Sequence, residues 1–90
     1  MDSGDKVLDR IRRTPFGWSQ DDLRRLYEAY GFEVRQGARH LVVRHHEQRD
    51  LVTTVARHDE LPPAYARTAV RLIEEVLRRR RMMSEGGGTG

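Results

Sequence analysis

The feature that most constrains the fold is an abrupt change of hydrophobic spacing at Gly31. Before this glycine, apolar side chains recur at the three- and four-residue intervals of one helix face. After it, residues 32–55 contain three short runs rich in β-forming residues, separated by a turn at 36–38 and a polar segment at 46–50. Three short strands with such tight connections predict an antiparallel meander.

The residues before Gly31 predict two helices. Residues 5–13 carry one apolar edge and are followed by helix-breaking proline and glycine. Ser19 then stands where a helix N-cap is expected, and Asp22, three residues later, completes a capping-box pattern. Gly31 is well placed to end this second helix in a left-handed conformation.

A third helix is predicted after Pro62, because proline is tolerated in the first turn of a helix and apolar residues then recur at helical spacing. We expect this helix to fray within 78–81. The predicted fold is therefore α+β, in the order α-α-β-β-β-α, with the helices covering one face of a three-stranded antiparallel sheet. Residues 1–18 form an N-terminal helical extension, 19–81 the main domain and 82–90 a disordered tail.

Length and composition exclude several classes of protein. Ninety residues make one small domain with a thin core. The absence of cysteine excludes a disulfide scaffold, a thiol nucleophile and any cysteine-based metal site. No apolar run approaches the ~20 residues that span a bilayer, and the acidic start does not resemble a signal peptide. We therefore expect a soluble, cytoplasmic protein without a membrane partner.

Positive charge is concentrated in the middle of the chain. Residues 35–58 carry a net charge of +3, equal to that of the whole chain, and contain all four histidines. Arginine suits phosphate because its planar fork donates two hydrogen bonds at once. The segment predicts a polyanionic partner, most simply nucleic acid, or else an ordinary solvated sheet surface. Outside it, the basic run at 78–81 either complements the helix dipole or binds phosphates non-specifically.

His40 is the first candidate for chemistry. Side chains alternate across a strand, so His40, Val42 and Arg44 share one face. If Leu41 and Val43 point toward the helices, that face is open to solvent and to a ligand. Histidine near arginine can exchange a proton with a phosphate ester, because its ordinary pKa lies near 6.5. The alternative is an ordinary exposed strand histidine.

The other histidines are weaker candidates. His45 and His46 are adjacent, so their side chains are expected on opposite faces and poorly placed to share one ion. No metal-binding motif accompanies them, and we predict neither a metal nor a cofactor. His58 follows the last strand, where it either approaches the sheet edge or bonds a nearby carbonyl.

Four segments together resemble the HicA (YcfA-like) family of bacterial messenger-RNA interferase toxins. They are Tyr-Gly-Phe-Glu-Val-Arg at 30–35, Arg-His-Leu-Val-Val-Arg-His at 39–45, Val-Ala-Arg-His at 55–58 and Leu-Pro-Pro-Ala-Tyr-Ala-Arg at 61–67. The resemblance covers about residues 19–77. It implies a fold of the double-stranded-RNA-binding-domain type, metal-independent endoribonuclease activity and neutralisation by a HicB-type antitoxin.

The resemblance also implies site residues. In the preferred alignment with the family pattern, the single catalytic histidine corresponds to His40. In an alternative alignment, anchored on Gly37, Arg39 occupies that position. We expect Arg39 or Arg44 to hold the phosphate and stabilise its negative charge. His58 is the candidate for a second proton carrier. The RNA-binding candidates are Arg35, Arg39, Arg44 and Arg49.

The chain departs from the family pattern around the predicted catalytic histidine. The Gly-Ser that precedes it is replaced by Ala38-Arg39, the aromatic residue by Val43 and the proline by His46. A related domain that binds RNA without cutting it is therefore a second hypothesis. A protein-interaction domain with an acidic partner is a third.

Overall fold

The computed structural model describes residues 3–57 and 60–89. Three helices and one three-stranded sheet follow one another in the predicted order. They are α1 (Ser3–Arg13), α2 (Gln20–Ala29), β1 (Phe32–Gln36), β2 (His40–His45), β3 (Val52–Ala56) and α3 (Pro63–Thr89). Every helix in these ranges is too short or too polar to cross a lipid bilayer.

Helix α2 begins and ends where the local sequence predicts. The Ser19 side chain accepts a hydrogen bond from the Asp22 backbone at 3.1 Å, and the Asp22 carboxylate accepts one from the Ser19 backbone at 3.0 Å. This reciprocal pair is the predicted capping box. At the other end, Gly31 has φ of +90°, a left-handed value that glycine adopts without the steric cost of a side chain.

The sheet is the predicted antiparallel meander, with β2 in the centre. A hydrogen bond from the Gly37 backbone to the His40 carbonyl, at 2.8 Å, closes the first turn. Along β2, exposed and buried side chains alternate without interruption. Leu41, Val43 and His45 point into the protein, so the opposite face of the strand is open to solvent.

The buried face of the sheet and all three helices share one hydrophobic core. Ile11 of α1 and Leu23 of α2 are fully buried, as is Ile73 of α3. Helix α1 also contacts its neighbours through polar groups: the Tyr30 hydroxyl donates to the Asp5 carboxylate at 2.6 Å. Helix α1 of the predicted extension therefore contributes, through Leu8 and Ile11, to the core that the rest of the chain builds.

Helix α3 is longer than the sequence predicts. It continues to Thr89, past residues 78–81 where fraying is expected and through most of the predicted disordered tail at 82–90. The prediction of the helix end was wrong, because an established helix gains one backbone hydrogen bond for each residue added. Arg78 and Arg79 also bond to Glu75 one turn earlier, which favours continuation through the basic run.

Candidate nucleic-acid interface

The uncovered face of the sheet, which we call the open face, presents its side chains in rows across the strands. Backbone pairing defines the rows. The first row is Glu33, Arg44 and Val52, the second is Arg35, Val42 and Thr54, and the third contains His40 and Ala56. Val42 and Val52 remain 39% and 41% exposed, which is high for strand valines and shows that no helix covers them.

A pocket of about 260 Å³ lies on the open face at the end nearest the β2–β3 turn. Its lining residues are Glu33, Arg35, Val42, Arg44 and Arg49. Arg35 and Arg44 come from adjacent strands, whereas Arg49 reaches the pocket from the turn. Three of the four arginines predicted to bind RNA therefore meet at one place, and we call it the arginine pocket.

His40 lies on the open face, as the alternation of β2 predicts, and its side chain is exposed. It does not line the arginine pocket. Because a strand rises about 3.4 Å per residue, His40 lies roughly 7 Å along β2 from Val42 and roughly 14 Å from Arg44. The predicted catalytic group thus shares a surface with the arginines but stands outside their pocket.

Arg39 and His58 are the two other residues that the sequence predicts at the site. Arg39 is exposed in the turn before β2 and does not line the arginine pocket. His58 lies outside the residues that the structure describes, so its predicted role as a proton carrier stays a prediction. Among the described residues, no side chain forms a hydrogen bond with the His40 ring, and so no neighbour fixes its orientation.

Glu33 is the pocket residue that the sequence analysis missed. It is exposed on β1, directly opposite Arg44. The signal was present in the strand alternation, since Glu33 precedes Arg35 by two residues and must share its face. The pocket therefore combines three guanidinium groups with one carboxylate, so its basic groups outnumber its acidic one.

His45, in contrast, has a structural role. Its ring is 1% exposed, and its Nδ1 atom accepts hydrogen bonds from the backbone of Glu47 and Gln48 at 3.1 and 3.0 Å. Nε2 lies 3.1 Å from the Tyr30 carbonyl oxygen and must donate to it. Burial, followed by the proximity of His46, lowers the pKa of His45, which favours this neutral form.

The sequence predicts that the side chains of His45 and His46 point to opposite faces of the strand, yet their rings lie close together. The two rings are adjacent, with centroids 4.9 Å apart and planes inclined by 33°. The reason is that β2 ends at His45, so strand alternation no longer governs the next residue. Both ring nitrogens of His45 are already engaged in hydrogen bonds, which leaves it without a free lone pair for a shared metal ion.

The turn that carries Arg49 is fixed from a second side by Arg79. The Arg79 guanidinium donates two hydrogen bonds of 2.9 Å to the Asp50 carboxylate and one of 2.9 Å to the Gln48 side chain. It also bonds to Glu75 at 2.8 Å. The hydrogen bonds from Arg79 lower the pKa of the Asp50 carboxyl. The hydrogen bonds from Arg78 and Arg79 together lower the pKa of Glu75 to about 2.

The basic run at 78–81 is therefore not a uniform phosphate-binding cluster. Arg78 and Arg79 are paired with carboxylates, and the Arg80 guanidinium lies 3.4 Å from the Tyr30 carbonyl oxygen. Two of the four guanidinium groups in this run are thus already bound to protein carboxylates, while Arg81 is exposed. The arginine pocket is consequently the better candidate for a polyanion.

Comparison of the chain with protein-family models, with curated proteins and with solved structures finds no match. The resemblance to the HicA family accordingly stays a prediction from the residues that carry it.

Proposed function

We propose that the protein binds RNA on the open face of its sheet. The observation that carries this proposal is the convergence of Arg35, Arg44 and Arg49 on one pocket. Guanidinium groups bind phosphate oxygens through paired hydrogen bonds, and neutralising phosphates releases the counterions around a polyanion. The finer fold assignment, a core of the double-stranded-RNA-binding-domain type as in the HicA family, belongs to the same proposal.

Alanine variants of the three pocket arginines test the proposal. We expect each to weaken binding of a labelled RNA and to reduce the dependence of log Kd on log salt by about one phosphate contact. Arg24→Ala is the matched control, because Arg24 is exposed on α2, away from the open face. Fluorescence anisotropy at several salt concentrations measures both quantities. Equal losses in Arg24→Ala and the pocket variants would contradict the proposal.

RNA cleavage at His40 is the second candidate function. It is favoured by the exposed position of the His40 imidazole on the same face as the arginine pocket. A ribose-phosphate chain held by the arginines would continue along β2 toward this ring. General acid–base catalysis requires hydrogen-bond contact with the reacting group, and an exposed side chain leaves room for it.

The reaction needs no metal. The ribose 2′-oxygen attacks the adjacent phosphorus and its proton passes to a base, for which we propose His40. The new bond joins the 2′-oxygen to phosphorus, while the bond from phosphorus to the 5′-oxygen breaks. The departing oxygen takes a proton, from His58 in the predicted arrangement or from water. Arg39 or Arg44 would stabilise the negative charge that develops on the phosphate.

Incubation of RNA with the purified protein in EDTA tests cleavage. We expect 2′,3′-cyclic phosphate ends from the wild type, and at least ~100-fold slower cleavage by His40→Ala, since acid–base assistance typically contributes that much. His46→Ala is the control, because it removes an exposed imidazole beyond the end of β2. Undiminished cleavage by His40→Ala would overturn the catalytic role, whereas binding without cleavage would leave the protein an RNA-binding module.

A HicB-type antitoxin is the proposed protein partner, in accordance with the family resemblance. Such a partner would cover the open face, where exposed Val42 and Val52 adjoin the arginines. The proposal also includes a cytoplasmic location. Arg44→Ala tests the shared surface: if an acidic protein encoded next to this chain binds it, the substitution should weaken both that complex and RNA binding. Loss of RNA binding alone would contradict the shared surface.

A further inference from the structure

Glu33 is the unexpected member of the arginine pocket. Its carboxylate lines the pocket together with three guanidinium groups and lies opposite Arg44 across the strand pair. Among the described residues, Glu33 forms no ion pair with a basic side chain, although five other acidic residues do. Its oxygens therefore remain available as hydrogen-bond acceptors on the open face.

A pocket built for phosphate alone would gain nothing from this carboxylate. Like charges repel, so Glu33 weakens the attraction that the arginines exert on an anion. The combination suits a ligand that carries negative charge at one end and hydrogen-bond donors at another. Nucleotides have this composition, because the phosphate is anionic and the base edges include N–H groups.

Guanine fits the carboxylate better than the other three bases do. Its Watson–Crick edge presents two adjacent donors, the N1–H and the exocyclic N2 amine, and a carboxylate can accept both at once. The corresponding edges of adenine, cytosine and uracil each carry only one donor group, so a carboxylate cannot accept from two adjacent donors there. Val42, exposed between the charged groups, offers an apolar contact to the plane of the base.

The size of the pocket limits what enters it. Its volume of about 260 Å³ is below the usual range for ligand sites, which starts at about 300 Å³. One base fits more readily than a whole dinucleotide. The lining arginines would then contact the phosphates on either side of that base.

We propose that the arginine pocket selects guanine in RNA, with Glu33 accepting hydrogen bonds from the N1–H and N2 amine of the base. This inference rests on the proposed RNA binding and adds the base that the same site recognises. Arg35, Arg44 and Arg49 supply affinity for the backbone, and Glu33 supplies discrimination.

Short 2′-O-methyl RNAs test this inference, because the blocked 2′-oxygen prevents cleavage during the measurement. We compare uridine hexamers that carry a single central guanosine or a single central adenosine. We expect the wild type to bind the guanosine oligomer about fivefold or more tightly, as one bidentate contact typically discriminates between bases. Glu33→Gln should reduce this preference to about twofold or less while the protein still binds both oligomers.

Glu47→Gln is the matched control. Glu47 carries the same charge and lies in the turn with Arg49, but it does not line the pocket. Its substitution should leave the guanosine preference unchanged. If Glu33→Gln strengthens binding of both oligomers equally, Glu33 only modulates charge and the inference is wrong.

The outcomes separate this inference from the proposed function. Equal binding of the two oligomers by the wild type would overturn guanine selection and leave RNA binding intact. Failure of the wild type to bind any of the RNAs would overturn both. Guanosine preference that survives in Glu33→Gln would leave RNA binding in place but exclude the carboxylate as its cause.

Discussion

The Nε2 atom of His45 lies 3.1 Å from the carbonyl oxygen of Tyr30, so the end of β2 is hydrogen-bonded to the end of α2. The same carbonyl oxygen accepts from Arg80 of α3 at 3.4 Å. On its other side, the His45 ring accepts two hydrogen bonds from the turn that carries Arg49. One buried imidazole thus connects the helical layer to the turn that completes the arginine pocket.

Replacement of His45 should destabilise the protein substantially. In His45→Ala the backbone groups of Glu47, Gln48 and Tyr30 lose their ring partner and a buried side chain is removed. We expect the free energy of unfolding to fall by about 2–4 kcal/mol. Urea denaturation followed by circular dichroism measures the loss.

His46→Ala is the matched control for this substitution, because the His46 ring is exposed and only stacks on its neighbour. The His46→Ala substitution should lower the free energy of unfolding by less than ~1 kcal/mol. His45→Asn should recover part of the stability, since its side-chain oxygen can replace Nδ1 as an acceptor. Equal losses in His45→Ala and His46→Ala would contradict the structural role.

Stability should also depend on pH through His45. Its pKa in the folded protein is below the ordinary value of 6.5, chiefly because the ring is buried. The folded state therefore binds this proton more weakly than the unfolded chain. The stability from neutral His45 is fully present above about pH 6.5 and is lost as the pH falls through the lower folded-state pKa, by up to ~1.4 kcal/mol per pH unit.

Urea denaturation between about pH 5 and pH 8 checks this dependence. The slope of the unfolding free energy against pH, below about pH 6.5, should be shallower in His45→Asn than in the wild type. His46→Ala should keep most of the slope, because burial is the larger cause of the lowered pKa of His45 and the proximity of His46 is the second. An unchanged slope in His45→Asn would assign the pH dependence to another group.

Gly31 should tolerate a side chain less well than Gly17, although both have a positive φ. A Cβ atom at Gly31 would lie 2.9 Å from His45 Nε2, whereas one at Gly17 would meet no atom within 4 Å. Gly17→Ala should cost only the left-handed backbone strain of about 1–2 kcal/mol. Gly31→Ala should cost about 1–3 kcal/mol more, because the buried ring must shift. Thermal or urea unfolding of the two variants measures the difference.

The local sequence was sufficient to predict a structural feature wherever the interactions that produce it lie within a few residues of one another. Ser19 and Asp22 are three residues apart and form their capping box with each other, so the start of α2 follows from their identities. Strand alternation likewise sufficed for the outward direction of His40 and the inward direction of Leu41. The meander followed from short strands and tight turns.

Tertiary contacts decided what each charged or polar side chain does. Arg44 and Arg79 are the same residue type, yet Arg79 is held by Asp50, which is 29 residues away in sequence, while Arg44 lines a pocket on the open face. His40 and His45 differ similarly, since one ring meets solvent and the other meets the Tyr30 carbonyl oxygen. Hydrogen bonding and ionic attraction depend on separation in space, and only the folded chain sets the separation of groups that are distant in sequence.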